Sequence, residues 1–275
     1  MIELPEAVNL AKQLTETING KKIKEVIAGY SPHKFAWYHG DPADYNARLQ
    51  GKNIGTAVSY GGLVEVSADD YILLFGDNVA LRFHDKSEKR PSKHQLLVEF
   101  ADMSAVSASV QMYGGMWCFK EGEFDSPYYD VAREKPSPLT NDFNSNYFDR
   151  MVNDPEVQNM SAKALLATKQ RIPGLGNGVL QDILYNAKIH PKRKVETLGD
   201  DEKESLFNSV KSTLKEMTEQ GGRDTEKNLF GETGGYQTKL SKNTVGTLCT
   251  ICGKTKIKQA YMGGVYFCAG CQKFP

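Results

Sequence analysis

Four cysteines near the C-terminal end constrain this chain more than any other feature of its sequence. They form two C-x2-C pairs, Cys249 with Cys252 and Cys268 with Cys271, and fifteen residues separate the pairs. Thiolates at these spacings can close around one tetrahedral zinc ion, whereas two disulfides or four unrelated thiols explain the twin spacing less well. The intervening segment has β-forming residues on both sides of Met262-Gly263-Gly264. We therefore expect one structural Zn²⁺ in a β-hairpin that turns at these glycines.

The length of the chain and its cysteine usage indicate the class of protein. With 275 residues the chain exceeds the usual size of a single domain, so we expect two domains. The fifth cysteine, Cys118, stands alone. No apolar run reaches the roughly 18 residues that a membrane span needs, and the N-terminus lacks the pattern of a signal peptide. These features predict a cytoplasmic protein that does not insert into a membrane.

The formal net charge of +0 hides an uneven distribution of charge. Residues 1–160 carry 16 Lys and Arg against 23 Asp and Glu, while residues 161–275 carry 18 against 11. A basic second half favours a polyanionic partner, because each cation brought to a phosphate backbone adds affinity. Ordinary solvated surface is the alternative interpretation of the same numbers.

The residue pattern changes twice along the chain. An extended leader and a short helix precede β-rich runs between residues 22 and 119, and helical periodicity covers 144–153, 161–168, 177–187 and 200–220. The fold class predicted is α+β, with two domains. The expected boundaries are a β-sandwich domain with a flanking helix at 1–122, a linker at 123–143, a helical domain with a glycine-rich loop at 144–240, and the zinc hairpin at 241–275.

A glycine-rich turn separates two of the predicted helices. It reads Gly174-Leu-Gly176-Asn177-Gly178 and overlaps the start of the helical pattern at Asn177. Glycines there could let backbone amides at the helix N-terminus approach a phosphate closely. A plain helix-helix turn is the alternative, and the motif by itself does not decide between the two.

In combination these motifs resemble the Fpg/Nei family of base-excision DNA glycosylases. The resemblance lies in the leader Glu3-Leu-Pro-Glu6, in the stretch from Lys163 to Asn177 with Ile189-His190-Pro191 beyond it, and in the four-cysteine hairpin that ends Cys271-Gln272. It implies that the helical domain is a helix-two-turn-helix domain. It also implies a monomer that grips double-stranded or damaged DNA between two lobes, everts a nucleotide, attacks its sugar and cleaves the strand by elimination.

The resemblance assigns roles to residues of this chain. Glu3 would be the catalytic acid/base, with Glu6 as a further acidic candidate. The family's nucleophile is an N-terminal proline, which is Ile2 here, so the nearest free amine would be that of Met1. The implied DNA contacts are Lys163, Gly176, Asn177 and Gly178 in the helical domain, Met112 and Tyr113 as a wedge in the duplex, and Lys258 and Tyr261 on the hairpin.

Several positions depart from the family pattern. Gly61 stands where the family has a strand lysine, and Gly263 stands where the hairpin carries an arginine for phosphate. Asp85 and Gln111 align with other residues that the family inserts into DNA. Two functions therefore remain open: a DNA glycosylase and abasic-site lyase with an altered nucleophile, and a catalytically silent, zinc-containing DNA-binding protein on the same scaffold.

Overall fold

The computed structural model describes residues 1–274 and begins with an α+β domain. Its first helix is followed by a sheet with one short helix between strands. The elements are α1 (Leu4–Ile18), β1 (Ile23–Ala28), β2 (Ala36–Trp37), α2 (Tyr45–Leu49), β3 (Ile54–Tyr60), β4 (Leu63–Ala68), β5 (Tyr71–His84), β6 (Leu96–Phe100) and β7 (Ala105–Lys120).

Helix α1 begins earlier than the sequence pattern predicts. Its apolar face, which includes Leu10 and Leu14, is buried against β3 and β4. Pro5 lies in the first turn, where a proline is well tolerated, and the Glu6 carboxylate accepts a hydrogen bond from the backbone N–H of Glu3 at 3.3 Å. The expected extended leader is therefore only Met1–Glu3, and Glu6 is already helical.

The strands form one continuous sheet in the order β1-β6-β7-β5-β4-β3, with antiparallel neighbours, and β2 pairs in parallel with β7. The β-forming runs at 71–75 and 79–83, with the turn signal Gly76-Asp77-Asn78 between them, predict two strands, but in the structure they belong to a single long strand, β5. A bulge interrupts its pairing with β7, because Asp77 is opposite Gly114 while Val79 is opposite Val110. The bulge frees Gln111–Tyr113 from the ladder.

The second domain is helical, as the sequence predicts. Its core contains Phe148, Leu165, Ile183 and Leu214 among other buried residues. The expected linker contains a helix of its own, which packs Tyr129 onto the sheet. The helices are α3 (Pro127–Glu134), α4 (Ser145–Val152), α5 (Ala162–Ala167), α6 (Val179–Asn186) and α7 (Asp200–Glu219).

The C-terminal segment folds as the expected hairpin, with strands β8 (Lys256–Ala260) and β9 (Gly264–Cys268). The turn contains Met262 and Gly263 with φ of 47° and 85°, a conformation that glycine adopts at low cost. Gln181 of α6 ties the hairpin to the helical domain, accepting a hydrogen bond from the Tyr266 amide at 3.0 Å. The α+β fold prediction is confirmed. Among residues 1–274, no helix has the length and apolar character needed to cross a membrane.

Candidate functional site

The two domains meet where the leader touches the loop between α5 and α6. The turn between β3 and β4 approaches this loop so closely that a Cβ atom at Gly61 would lie 2.6 Å from Cβ of Pro173. The Leu4 amide also donates to the carbonyl of Gly174 at 3.0 Å. Position 61 therefore has no room for the lysine of the resembling family. A cleft of about 380 Å³ opens beside this junction, and its walls include Met1–Glu3 and Tyr128 of α3.

Glu3 forms the floor of this junction. Its side chain is 2% exposed, and its Oε1 and Oε2 accept hydrogen bonds from the amides of Gly178 at 2.8 Å and Val179 at 2.7 Å. These amides belong to the N-terminus of α6, where unpaired N–H groups and the helix dipole favour an anion. In this structure these amides hold a carboxylate of the protein itself, and a phosphate bound at this helix N-terminus stays a prediction.

Arg223 completes the cluster and was missed by the sequence analysis. Its Nη1 lies 3.3 Å from Oε2 of Glu3, and its Nε and Nη2 donate to the two oxygens of Glu6 at 3.0 and 2.8 Å. Arg223 is 2% exposed, so the ion pairs are buried. The only signal in the sequence was an arginine inside a glycine-rich segment, because nothing local marks a residue that is buried by partners 217 positions away.

Burial and charge act in opposite directions on Glu3. Burial raises the pKa of its carboxyl group, and the neighbouring Arg223 charge and the two α6 amides oppose that rise. The glycines of the preceding turn permit the close approach. A Cβ at Gly176 would lie 2.4 Å from Oε1 of Glu3, and a Cβ at Gly178 would lie 1.5 Å from Nη1 of Arg223. The predicted phosphate contacts of these two glycines stay predictions, since the Gly178 amide is engaged with Glu3.

The leader residues Met1 and Ile2 face in different directions. The Met1 amine pairs with the carboxylate of Glu226, while the Ile2 side chain is buried in the core of the first domain. The Ile2 amide donates to the carbonyl of Asp77 at 2.7 Å. Another cavity, of about 250 Å³, is lined by Met1 and Ile2 together with Asn78.

Lys163 is a buried link between α5 and the hairpin, which differs from its expected contact with phosphate. It is 2% exposed, and its Nζ donates to the carbonyls of Tyr261, Met262 and Gly264 at 3.0, 2.9 and 3.3 Å. All three acceptors lie at the hairpin tip. Burial lowers the pKa of Lys163 to about 8. Because the ammonium group is enclosed by protein carbonyls, Lys163 holds α5 to the hairpin in this structure.

Asn177 joins the same contact. Its Nδ2 donates to the Gly264 carbonyl at 3.0 Å, and its Oδ1 accepts from Gln181 at 3.1 Å. The side chain is partly exposed, so a phosphate contact of Asn177 stays a prediction. Its observed contacts stabilise the hairpin.

The exposed side of the hairpin carries the remaining predicted DNA contacts. Lys258 is exposed on β8, and Tyr261 is half-buried beside Lys192, whose Nζ lies 5.2 Å from the centre of the tyrosine ring. At Gly263 a Cβ atom would meet no atom within 4 Å. The position of the missing arginine is therefore open to solvent.

The bulge in β7 presents the predicted wedge residues. Met112 is 65% exposed and Tyr113 is 37% exposed, and the Tyr113 ring lies 5.8 Å from that of Trp37 on β2. Asp85 lies beyond the end of β5, where its amide bonds Glu88. Asp85 is therefore separated along β5 from the bulge, whereas Met112 and Tyr113 lie together.

The four hairpin cysteines form a compact group of thiols. Their sulfur atoms lie within 4.8 Å of one another, with 3.7 Å between Cys249 and Cys271 and 3.3 Å between Cys252 and Cys268. Four sulfurs at about 2.3 Å from a central zinc lie about 3.8 Å apart, so the donor set fits a tetrahedral metal. The Tyr185 hydroxyl of α6 lies 3.1 Å from Sγ of Cys249, where it can orient a metal-bound thiolate.

Comparison with known proteins connects this geometry to a family. Residues 135–228 match the family model described as formamidopyrimidine-DNA glycosylase H2TH domain. The formamidopyrimidine-DNA glycosylase of Bacillus cereus is 26% identical over 194 residues, 70% of this chain and 68% of the relative. That of Cytobacillus firmus is 28% identical over 197 residues, 70% of this chain and 69% of the relative.

Solved structures show the same fold over the whole chain. A complex of Lactococcus lactis Fpg with DNA containing an abasic site has a TM-score of 0.84 at 24% identity, covering 99% of this chain and 100% of that one. MutM with DNA containing carbocyclic 8-oxo-G has a TM-score of 0.83 at 24% identity, with the same coverage.

The sheet-rich domain, the helical domain and the cysteine hairpin together define the two-domain helix-two-turn-helix class of proteins. Within this class, the comparisons support membership in the Fpg/Nei family, which is the family that the sequence motifs predict.

Proposed function

We propose that this protein is a DNA glycosylase that removes damaged bases from DNA in base excision repair. The observation that carries the proposal is the junction of the leader with α6, where Glu3 sits on the helix N-terminus at the floor of an interdomain cleft. The relatives matched in sequence are formamidopyrimidine-DNA glycosylases, and the solved neighbours hold DNA with abasic or oxidised sites. These comparisons favour the enzyme over the silent DNA-binding protein.

The proposed DNA surface spans both domains. Met112 and Tyr113 protrude from the β7 bulge, where an exposed aromatic side chain can stack on a base next to an everted nucleotide. Lys258 and Tyr261 lie on the exposed side of the hairpin. Asn177 remains available on its exposed side, whereas Lys163 supports the interface through the hairpin tip.

The catalytic roles of Glu3, Met1 and Glu6 are part of this proposal. In support of these roles, Glu3 and Met1 both line the cleft, and Met1 also lines the second cavity. Glu6 accepts hydrogen bonds from Arg223 inside the buried cluster. We therefore propose that Glu6 helps to position Glu3 and does not itself contact the substrate. The Met1 amine, paired with Glu226, is the proposed nucleophile of any lyase step.

Zinc is the metal that we propose for Cys249, Cys252, Cys268 and Cys271. A structural ion at four thiolates would fold the hairpin and present its tip to Lys163. No reaction step involves it. We propose that the protein acts as a monomer on double-stranded DNA inside the cell.

Base release from a panel of duplexes tests the proposal. Each duplex carries one lesion, such as an oxidised purine, a ring-opened purine, an oxidised pyrimidine or an abasic site. We expect release from at least one lesion, with Glu3→Gln losing it while DNA binding persists. The matched control is Glu196→Gln, which changes an exposed acid away from the cleft. Binding without base release from any lesion would support the silent DNA-binding protein instead.

A further inference from the structure

Asp77 is an acidic residue of the cleft that no motif identified. It lies at the bulge of β5 with φ of 62°, a left-handed conformation that is unusual for a non-glycine residue within a strand. Its carbonyl accepts the hydrogen bond of the Ile2 amide at 2.7 Å. The backbone of the leader therefore fixes Asp77 next to the residues that carry the proposed activity.

The carboxylate of Asp77 faces the same cleft as Glu3. Among residues 1–274, no donor hydrogen-bonds to its oxygens, and its side chain is partly buried. The titratable groups around it are Tyr128 from α3, Tyr113 from β7, and the leader groups Glu3 and Met1, while Lys169 lines the same cleft from the α5–α6 loop.

The two carboxylates differ in what they can still accept. Both oxygens of Glu3 already accept hydrogen bonds from α6 amides, and one also faces Arg223. Because these donors already occupy both oxygens, Glu3 has little remaining capacity to accept a hydrogen bond from a water molecule. Asp77 has free oxygens, a cleft large enough for a water molecule, and a fixed backbone.

We propose that Asp77 is a catalytic residue that activates a water molecule for base removal. The inference rests on the proposed function, because it names the group that drives the glycosylase step. In this step Glu3 remains ionised on the α6 N-terminus and contributes negative charge beside the sugar.

The chemistry is a hydrolysis and needs no oxidant or further co-reactant. The water oxygen forms a bond to the sugar C1′ as the C1′–N bond to the damaged base breaks, and the bonding electrons leave with the base. Asp77 takes one proton of the water, and the released base takes up a proton from solvent. Asp77 then returns its proton to solvent. The product is an abasic site in an intact strand, without a covalent intermediate on the protein.

The pH dependence follows from the surroundings of Asp77. Burial raises the pKa of its carboxyl group, and the negative charge of Glu3 lies in the same cleft. The base form is the ionised one, so base release should increase as pH rises through this elevated pKa. A variant without a carboxylate at position 77 should lose that part of the pH profile.

The test compares Asp77→Asn with Asp69→Asn in single-turnover base release on the lesion that the wild-type protein processes. Asp69 is a matched control, because it also has a positive φ, of 49°, but lies in the β4–β5 turn outside the cleft. We expect Asp77→Asn to lower the rate by about 100-fold or more, with unchanged DNA binding and thermal stability. Asp69→Asn should keep the wild-type rate. The acidic limb of the pH–rate profile should disappear only in Asp77→Asn.

The possible results separate the two proposals. If the wild-type protein releases base and Asp77→Asn does so within about threefold of its rate, the role of Asp77 is wrong while the glycosylase function stands. A borohydride-trapped covalent adduct in step with base release would also overturn the hydrolytic step. If the wild-type protein releases no base from any lesion, both proposals fail together.

Discussion

At the scale of single residues, the buried cluster of Glu3, Glu6 and Arg223 is the unusual feature of this protein. Transferring charged groups from water into the protein interior costs free energy. Here the cost is offset because Arg223 pairs with both carboxylates and α6 amides donate hydrogen bonds to Glu3. The cluster joins the leader, α1 and the loop after α7. It therefore couples the placement of the proposed active site to the packing of the two domains.

Replacing Arg223 should be strongly destabilising. Arg223→Met leaves two buried carboxylates without their cation, and we expect the free energy of unfolding to fall by about 3–5 kcal/mol. Urea denaturation followed by fluorescence measures the change. The matched control is Arg193→Met, which removes a bidentate pair with the partly exposed Glu202, and should cost about 1 kcal/mol or less. Equal effects of the two substitutions would contradict the buried-cluster interpretation.

Asp182 gives the stability of the protein a pH dependence. Its carboxylate accepts the amides of Lys239 and Leu240 at 2.8 and 2.7 Å, yet burial raises its pKa from 3.8 to about 6. Between these values the folded state binds more protons than the unfolded state, so this residue's contribution to stability falls as pH rises through about 6.

Comparing unfolding free energies of the wild-type protein and Asp182→Asn across pH 4 to 7 measures this contribution. The difference, wild type minus variant, should decrease as pH rises towards about 6 and then level off. A difference that does not change with pH would show that Asp182 titrates normally in the folded protein.

At the scale of elements, the hairpin depends on its surroundings for stability. Strand β8 is almost entirely exposed, while Val265 and Cys268 of β9 are buried. A two-stranded hairpin alone is marginally stable in water. The thiol cluster and the polar contacts from Lys163 and Gln181 are what hold it in place.

Removing a thiol ligand should therefore unfold the hairpin selectively. Cys249→Ser, or chelation of the metal, should cause loss of bound zinc, rapid amide exchange over residues 249–271 and weaker DNA binding. Mass spectrometry of hydrogen exchange resolves the region. Cys118→Ser is the control, because Cys118 lies in the sheet core and should not affect metal content. Retained hairpin protection in metal-free protein would contradict a structural role for the metal.

At the scale of the whole molecule, the proposed DNA surface lacks two side chains that the family resemblance leads one to expect. The resembling family has a lysine where this chain has Gly61 and an arginine where it has Gly263. The two positions differ in the space that surrounds them. Gly61 packs against Pro173 at the domain junction, so a larger side chain at position 61 would clash with the second domain. Within residues 1–274 no atom lies within 4 Å of a Cβ at position 263, so an arginine there meets no steric clash and bears only the strain of the positive φ of 85°.

Gly263→Arg should tighten DNA binding. A guanidinium at the hairpin tip would add one phosphate contact, so we expect higher affinity and a steeper salt dependence, by about 0.9 in the slope of log K against log salt. The control is Gly246→Arg, another open position with the same φ of 85°. Fluorescence anisotropy at several salt concentrations measures both. An equal gain from the two variants would mean that added charge alone is responsible.

Sequence reasoning recovered the elements better than the contacts between them. The helices at 144–220 and the hairpin follow from apolar periodicity and turn residues, which act over a few positions. The sequence predicted two strands where the structure has β5, because the residues around Asp77 resemble a turn. In the structure they form a bulge, and β5 pairs with β7 on both sides of it. Lys163 was placed on DNA, since nothing near it in sequence indicates that three carbonyls about 100 residues away enclose it.

The sequence by itself indicated the cluster of four cysteines, the order of the main elements and the family resemblance, because each depends on residue types at short spacings. Only the tertiary structure decided that the helix N-terminus holds Glu3, that Arg223 pairs with Glu3 and Glu6, and that Asp77 lines the cleft. These features join residues far apart in the chain. Their energies arise from burial and charge, which exist only once the domains have packed.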